Sequence, residues 1–201
     1  MKRLAYLLEK ALLLLACALA AASGMALLGP PAAAQTANAS APQRLPGEVA
    51  AELPGGVLAG SARLRFFGFD VYDSRLWVAP GFRASSYAQS PLALELTYLR
   101  ALKGRAIAER SLQEMQRCGR LSPEQEQRWL GAMTEAFPDV GRGERITGLH
   151  QPGVGARFWV NGQARAEIRD PEFSRCFFGI WLAETTSEPQ LRSQLLERAA
   201  P

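Results

Sequence analysis

Two arginines stand in an otherwise apolar stretch, Ala62-Arg63-Leu64-Arg65-Phe66-Phe67. Residues two apart in a strand share a face, so Arg63 and Arg65 point one way and Leu64 and Phe66 the other. An arginine on a buried face has to be paired, because an unpaired buried charge is very costly. Asp70, Asp73 and Glu95 are the carboxylates within reach by sequence. The other possible partner is an anionic ligand. A guanidinium grips a carboxylate through a bidentate fork, and a Tyr hydroxyl beside it adds a neutral donor. The same group can stabilise negative charge that develops during a reaction. Against these stands a plain Arg–carboxylate pair or a solvated edge arginine.

Other chemistries are thinly provided for. His150 is the only histidine, which excludes a multi-His metal site and makes a Ser-His-Asp triad improbable. Its place beside Pro152-Gly153 reads as a surface or strand-end position. Gly153-Val154-Gly155 lacks the third glycine and the following helix of a dinucleotide loop, and no phosphate-binding loop occurs. No metal and no cofactor are expected. The chain has no Lys/Arg run beyond its start, and charges of both signs are interspersed. Nucleic acid is therefore not an expected partner, in spite of a formal charge of +4.

The elements that must position these residues follow from pattern. Residues 57–67 and 69–78 read as strands, with Gly68 a bend or bulge between them. Leu92, Leu94, Leu96 and Tyr98 alternate with Ala93, Glu95 and Thr97, a strand with one buried face. Helices follow over 105–117 and from Ser122-Pro123-Glu124 to about Phe137, where Pro138 ends the second. Residues 144–150 and 156–160 read as strands. Asn161-Gly162 is a hairpin signal, since a type I′ turn needs positive φ at both central residues. Asp170-Pro171-Glu172 opens a helix carrying Phe173, Phe177, Ile180 and Trp181. Ser187-Glu188-Pro189-Gln190 opens another, with Ser as cap and Gln three residues on. The order implies an α+β domain over residues 57–201, an antiparallel sheet with a helical layer on one face.

The first 34 residues are not fold. Lys2, Arg3 and Lys10 precede an apolar run over 11–28, and Ala32-Ala33-Ala34 before Gln35 is a small-residue cleavage pattern. The first reading is a signal peptide cut after Ala34; an uncleaved anchor and a lipoprotein attached at Cys17 are the alternatives. Membrane attachment is expected only through such a retained leader or lipid. Residues 35–56, rich in Ala, Pro, Ser and Gly, read as a linker. Beyond the leader two cysteines remain, Cys118 and Cys176. In an oxidising compartment they could bridge; otherwise Cys176 is a small buried apolar residue.

Hairpin, helix carrying Ile180-Trp181-Leu182, break, and helix carrying Leu191-Arg192-x-x-Leu195-Leu196 is an order that resembles the chalcone-isomerase-like family, in particular its exported bacterial branch. The block from Gly60 to Trp77, with its Val71-Tyr72-x-x-x-Leu76-Trp77, and the weaker block Leu94–Arg100 are similar to further family segments. The resemblance covers roughly residues 57–199 and implies an open-faced β-sandwich with helices on the sheet. In the plant isomerases of the family an Arg after the glycine turn polarises the substrate ketone. In its fatty-acid-binding relatives the matching Arg and a Tyr hold a carboxylate. Arg63 best matches that Arg, with Arg65 the alternative because the spacing to Tyr72 is short. Tyr72 falls where the binders place their Tyr. The isomerases also use a Tyr later in the chain, and none follows Tyr98 here. The resemblance thus implies a periplasmic or secreted, non-catalytic binder of a small apolar anion such as a fatty acid. An isomerase of unsaturated ketones and a ligand-free structural or interaction protein are the other readings.

Overall fold

The computed structural model of the chain describes residues 44–200. The expected leader and its cleavage site lie outside the described residues. Among the described residues no helix is long and apolar enough to cross a membrane.

Six strands form one antiparallel sheet in chain order: β1 (Val57–Phe66), β2 (Phe69–Val78), β3 (Leu92–Tyr98), β4 (Arg145–Gln151), β5 (Gly155–Val160) and β6 (Gln163–Ile168). Two of its hairpins close through two-residue turns with positive φ at both positions. Asn161 and Gly162 (φ 51° and 83°) make the β5–β6 turn, and Phe67 and Gly68 (φ 48° and 80°) make the β1–β2 turn. Gly68 is therefore the second residue of a tight turn, not a bulge. Among the described residues four α-helices are numbered in the same chain order: α1 (Gly104–Met115), α2 (Pro123–Ala136), α3 (Pro171–Leu182) and α4 (Pro189–Leu195). A reciprocal box opens α2, where the Ser122 hydroxyl accepts from the Gln125 N–H and the Gln125 side chain accepts from the Ser122 N–H. Asp170 caps α3. The cap expected from Ser187 does not form. Pro189 occupies the first helical position, so the cap position falls on Glu188, whose N–H instead goes to the Thr186 hydroxyl at 3.2 Å.

The helices cover one face of the sheet. Leu76, Leu92, Leu94, Leu96, Ile146 and Phe158 meet Phe173, Phe177, Phe178 and Trp181 of α3 there. Phe173 and Phe177 stack at 5.6 Å, and Phe158 meets Phe177 edge-on at 5.2 Å. Each such ring, once buried, contributes roughly 1.5–3 kcal/mol. Gly148 makes room for them, since a Cβ there would sit 3.1 Å from Phe158 and 3.2 Å from Phe178.

The other face is not left open. Residues 44–56, inside the stretch whose composition reads as a linker, carry a short 3-10 turn (Gly47–Val49) and bury Val49 and Leu53 against Trp77, Ala93, Leu149 and Trp159. With the partly buried Leu45 packed against them, these few apolar residues suffice because the sheet supplies the rest of the cluster. This explains a second difference from the sequence pattern. β3 is buried on both faces, Ala93 and Glu95 included, because it is central in the sheet and covered on each side.

Candidate functional site

Pairing register decides where the candidate residues go. In the β1–β2 hairpin Arg63 lies opposite Asp73 and Leu64 opposite Tyr72. An irregularity after Leu64 then sets Arg65 opposite Asp70. Cross-strand partners share a face, so Arg63 and Arg65 lie with Asp70 and Asp73 on the face away from the helices. Arg63 holds Asp73 through a fork, Nε to Oδ1 at 2.6 Å and the second nitrogen to Oδ2 at 3.0 Å, and reaches Asp70 at 3.0 Å. Arg65 donates to Asp70 at 2.7 Å. The Arg65 hydrogen bond, helped by Arg63, holds the Asp70 carboxyl below its ordinary range, and the Asp73 hydrogen bond raises Arg63. These arginines already carry carboxylates, and all four groups are solvent-facing.

Tyr72 points the other way, into the helical layer. Its hydroxyl accepts a 2.9 Å hydrogen bond from the indole N–H of Trp181, and its ring meets Tyr98 edge-on at 6.1 Å. Tyr98 is 3% exposed. Burial pushes both phenols well above their ordinary range. For Tyr72 the charges of Glu188 and Glu114 add to the rise, while Trp181 and Arg110 oppose it. Both hydroxyls therefore stay neutral donors at any physiological pH. The bond that Tyr72 accepts from Trp181 is the one side-chain hydrogen bond of this pair among the described residues. The structure thus separates Tyr72 from Arg63 and Arg65 by the sheet, and unites it with Tyr98 and Trp181. Sequence reading singled out neither of the latter. The signal was present, because Tyr98 sits on the alternating apolar face of β3 and Trp181 at the helical spacing of α3.

Glu114 at the margin of this layer is a buried carboxylate of α1, bound by Arg110 and, at 2.9 Å, by Arg117. It opens onto a surface cleft of about 140 Å³ that also touches Tyr87, Arg175 and the cysteines. Cys118 and Cys176 form a disulfide, with their Cα atoms 5.3 Å apart.

His150 stands at the strand end expected of it, one residue before the end of β4, but it is buried and not at the surface. Its Nε2 lies 3.0 Å from the Ala88 carbonyl, which can only accept, so Nδ1 accepts from the Ser174 hydroxyl at 2.6 Å. Desolvation lowers its basicity, partly offset by the Ala88 carbonyl. The pair has the distance of a nucleophile–base dyad. However, Ser174 is fully buried in α3 and out of reach of any substrate. Among the described residues no group of three or more His, Cys, Asp or Glu could hold a metal ion.

With this geometry in hand, the chain can be set beside known proteins. The sequence profile of the family described as chalcone isomerase-like matches residues 52–197. An uncharacterised protein of Haemophilus influenzae is 28% identical over 137 residues, covering 68% of this chain and 66% of that protein, just under two thirds of its length. The solved fold of a fatty-acid binding protein from Arabidopsis thaliana superposes with a TM-score of 0.56 at 14% identity, covering 72% of this chain and 88% of that one.

Proposed function

The chain belongs to the chalcone isomerase-like family, and from that premise we propose that it is a non-catalytic carrier of a small apolar molecule held through one oxygen atom, with a fatty acid the first candidate. One observation carries this reading. Two neutral phenols, Tyr98 buried and Tyr72 partly buried, meet ring to ring at 6.1 Å in an apolar layer; Tyr72 already accepts the indole N–H of Trp181, and neither phenol proton has an acceptor among the described residues. An apolar site with a few convergent polar groups is the usual make-up of a ligand pocket. The likeness to the Arabidopsis thaliana protein, whose name describes a fatty-acid binder, agrees with the class of ligand. The seat moves from Arg63 and Arg65 to Tyr72, Tyr98 and Trp181, on the helical side of the sheet. An isomerase needs a proton acceptor beside the polarised carbonyl, and Glu114, the buried carboxylate of this layer, is taken up by Arg110 and Arg117. The ligand-free reading draws support from Arg63, which is bound by two carboxylates.

Export belongs to the same proposal. A Cys118–Cys176 bond fits an oxidising compartment, periplasmic or secreted, and any permanent anchor in a membrane is a retained leader or lipid.

Native mass spectrometry tests these readings together, on protein purified from cells expressing the full chain and offered a fatty acid, its methyl ester and the matching alcohol. Tyr98→Phe should weaken retention by about tenfold, the worth of one hydrogen bond to a buried partner. Arg63→Ala should leave retention unchanged. Loss in Arg63→Ala alone would return the site to the outer face, and no retained ligand in any sample would leave the ligand-free domain as the better account. The same spectra read the leader, since a chain beginning at Gln35 supports export.

A further inference from the structure

The two tight turns of the sheet have the same backbone and different residues. Both need positive φ at each central position. The β5–β6 turn uses Asn161-Gly162, as such turns prefer, while the β1–β2 turn places Phe67 at φ 48°. A bulky aromatic in the left-handed region is strained, and strain that a fold retains points toward use. Phe67 is also 58% exposed and Phe69, on the other side of the turn, 56%. Phe66 packs edge-on against Phe67 at 4.6 Å. The chain thus spends an unfavourable backbone conformation to hold apolar rings in water.

The charges around the turn match this. The antiparallel order brings the end of β3 and the start of β4 to the same end of the sheet, where the Leu99 N–H bonds the Val71 carbonyl and the Gly143 N–H the Tyr98 carbonyl. Arg100 places its guanidinium 5.3 Å from the Phe69 ring centre, and Arg142 is exposed on the following loop. The carboxylates of this end are engaged: Asp70 and Asp73 by Arg63 and Arg65, Asp139 by Lys103, and Glu144 by Asn161 and the Gly141 N–H. Arg100 and Arg142 form no ion pair or hydrogen bond among the described residues. What projects from this end is aromatic at the tip and cationic at its base.

We propose that the β1–β2 turn is a membrane contact, with Phe67 and Phe69 entering the headgroup region of an anionic phospholipid bilayer and Arg100 and Arg142 facing its phosphates. Exposed apolar rings such as Phe gain by burial at the headgroup–acyl boundary, and basic residues near the surface add attraction to anionic lipid. A protein partner fits less well. Each ring buries at most about 150–250 Å², so a convex turn of two or three falls short of the roughly 800 Å² per partner of a stable interface. The contact is independent of any retained leader and of the ligand seat at Tyr72.

The test reads position 67 itself, so a leader-bound chain does not mask it. Phe67→Trp, prepared from the full chain, is mixed with phosphatidylcholine vesicles with and without phosphatidylglycerol, some carrying brominated acyl chains. The parent chain supplies the background of its own tryptophans. On the anionic vesicles the emission of the introduced indole should shift to the blue and be quenched by the bromine, and adding Phe69→Ser should cut that quenching severalfold. Phe67→Asn should melt no lower than the parent, because Asn accepts the turn. Three results would each overturn the proposal: an introduced indole that stays in water on the vesicles, a blue shift that appears without lipid and grows with protein concentration, or a lower melting point for Phe67→Asn, which would make Phe67 a folding residue.

Discussion

Removing the tether between Cys118 and Cys176 should cost about 2–4 kcal/mol of stability. The bond joins the 3-10 turn after α1 to α3 across a sequence separation of 58. That loop encloses α2 and β4 to β6, half of the sheet. In the chain-entropy account a loop of this length confines the unfolded chain by about 4 kcal/mol, of which engineered cases usually return less. Cys118 is the cleaner position to change. Cys176 is buried against the aromatic cluster, so Cys176→Ser would add a desolvated hydroxyl to the loss of the tether. The measurement is urea unfolding of the parent and of Cys118→Ser, each with and without dithiothreitol. The reductant should bring the parent down to the variant and leave the variant where it is. A parent midpoint indifferent to reductant would mean that the tether contributes nothing.

How much could be read beforehand depended on whether a signal was local. Asn161-Gly162 and Asp170-Pro171 act within a few residues, and the hairpin and helix expected of them are present. The common face of Arg63 and Arg65 was equally local. Which residue of β2 they meet was not, because it depends on the turn that sets the register. Counting outward from a Phe67-Gly68 turn puts Arg65 opposite Asp70, and one extra residue at Val71 puts Arg63 opposite Asp73. Tyr72 is then forced onto the other face. Phe in place of Asn hid that turn, since an aromatic is a strand former and rare at positive φ. Val49 and Leu53 were hidden for a different reason. Their partners Trp77, Leu149 and Trp159 come from three separate strands, and no window of sequence contains them together.

Asp170 shows the same division within one side chain, and its removal is the second large loss to expect. Its cap was legible. Oδ1 accepts the N–H groups of Glu172 and Phe173, both at 3.0 Å. Its second role was not. Oδ2 accepts the indole N–H of Trp129 at 2.8 Å, with Arg128 at 3.5 Å, tying α2 to the start of α3 across 41 residues. Asp170→Ala should therefore cost about 2–4 kcal/mol, roughly 1 from the cap and 1–3 from a fully buried indole left without an acceptor. Asp170→Asn should recover only part, because its amide can offer an oxygen to the helix or to Trp129 but not to both. Burial, the largest single influence on this carboxyl, pushes its pKa up. The N–H of Phe173, the Trp129 indole, the N–H of Glu172 and Arg128 together outweigh it, and the group ends below its ordinary 3.8. A carboxyl more acidic in the folded than in the unfolded chain stabilises above the unfolded value and loses that contribution as pH falls through the folded one. The gap between parent and Asp170→Ala should consequently be full at neutral pH and narrow below about pH 3.8. Denaturant unfolding at neutral pH and near pH 3 distinguishes the outcomes. A gap of the same size at both would show that the carboxylate's charge is not what closes the helix, leaving the shape of the side chain to account for the loss.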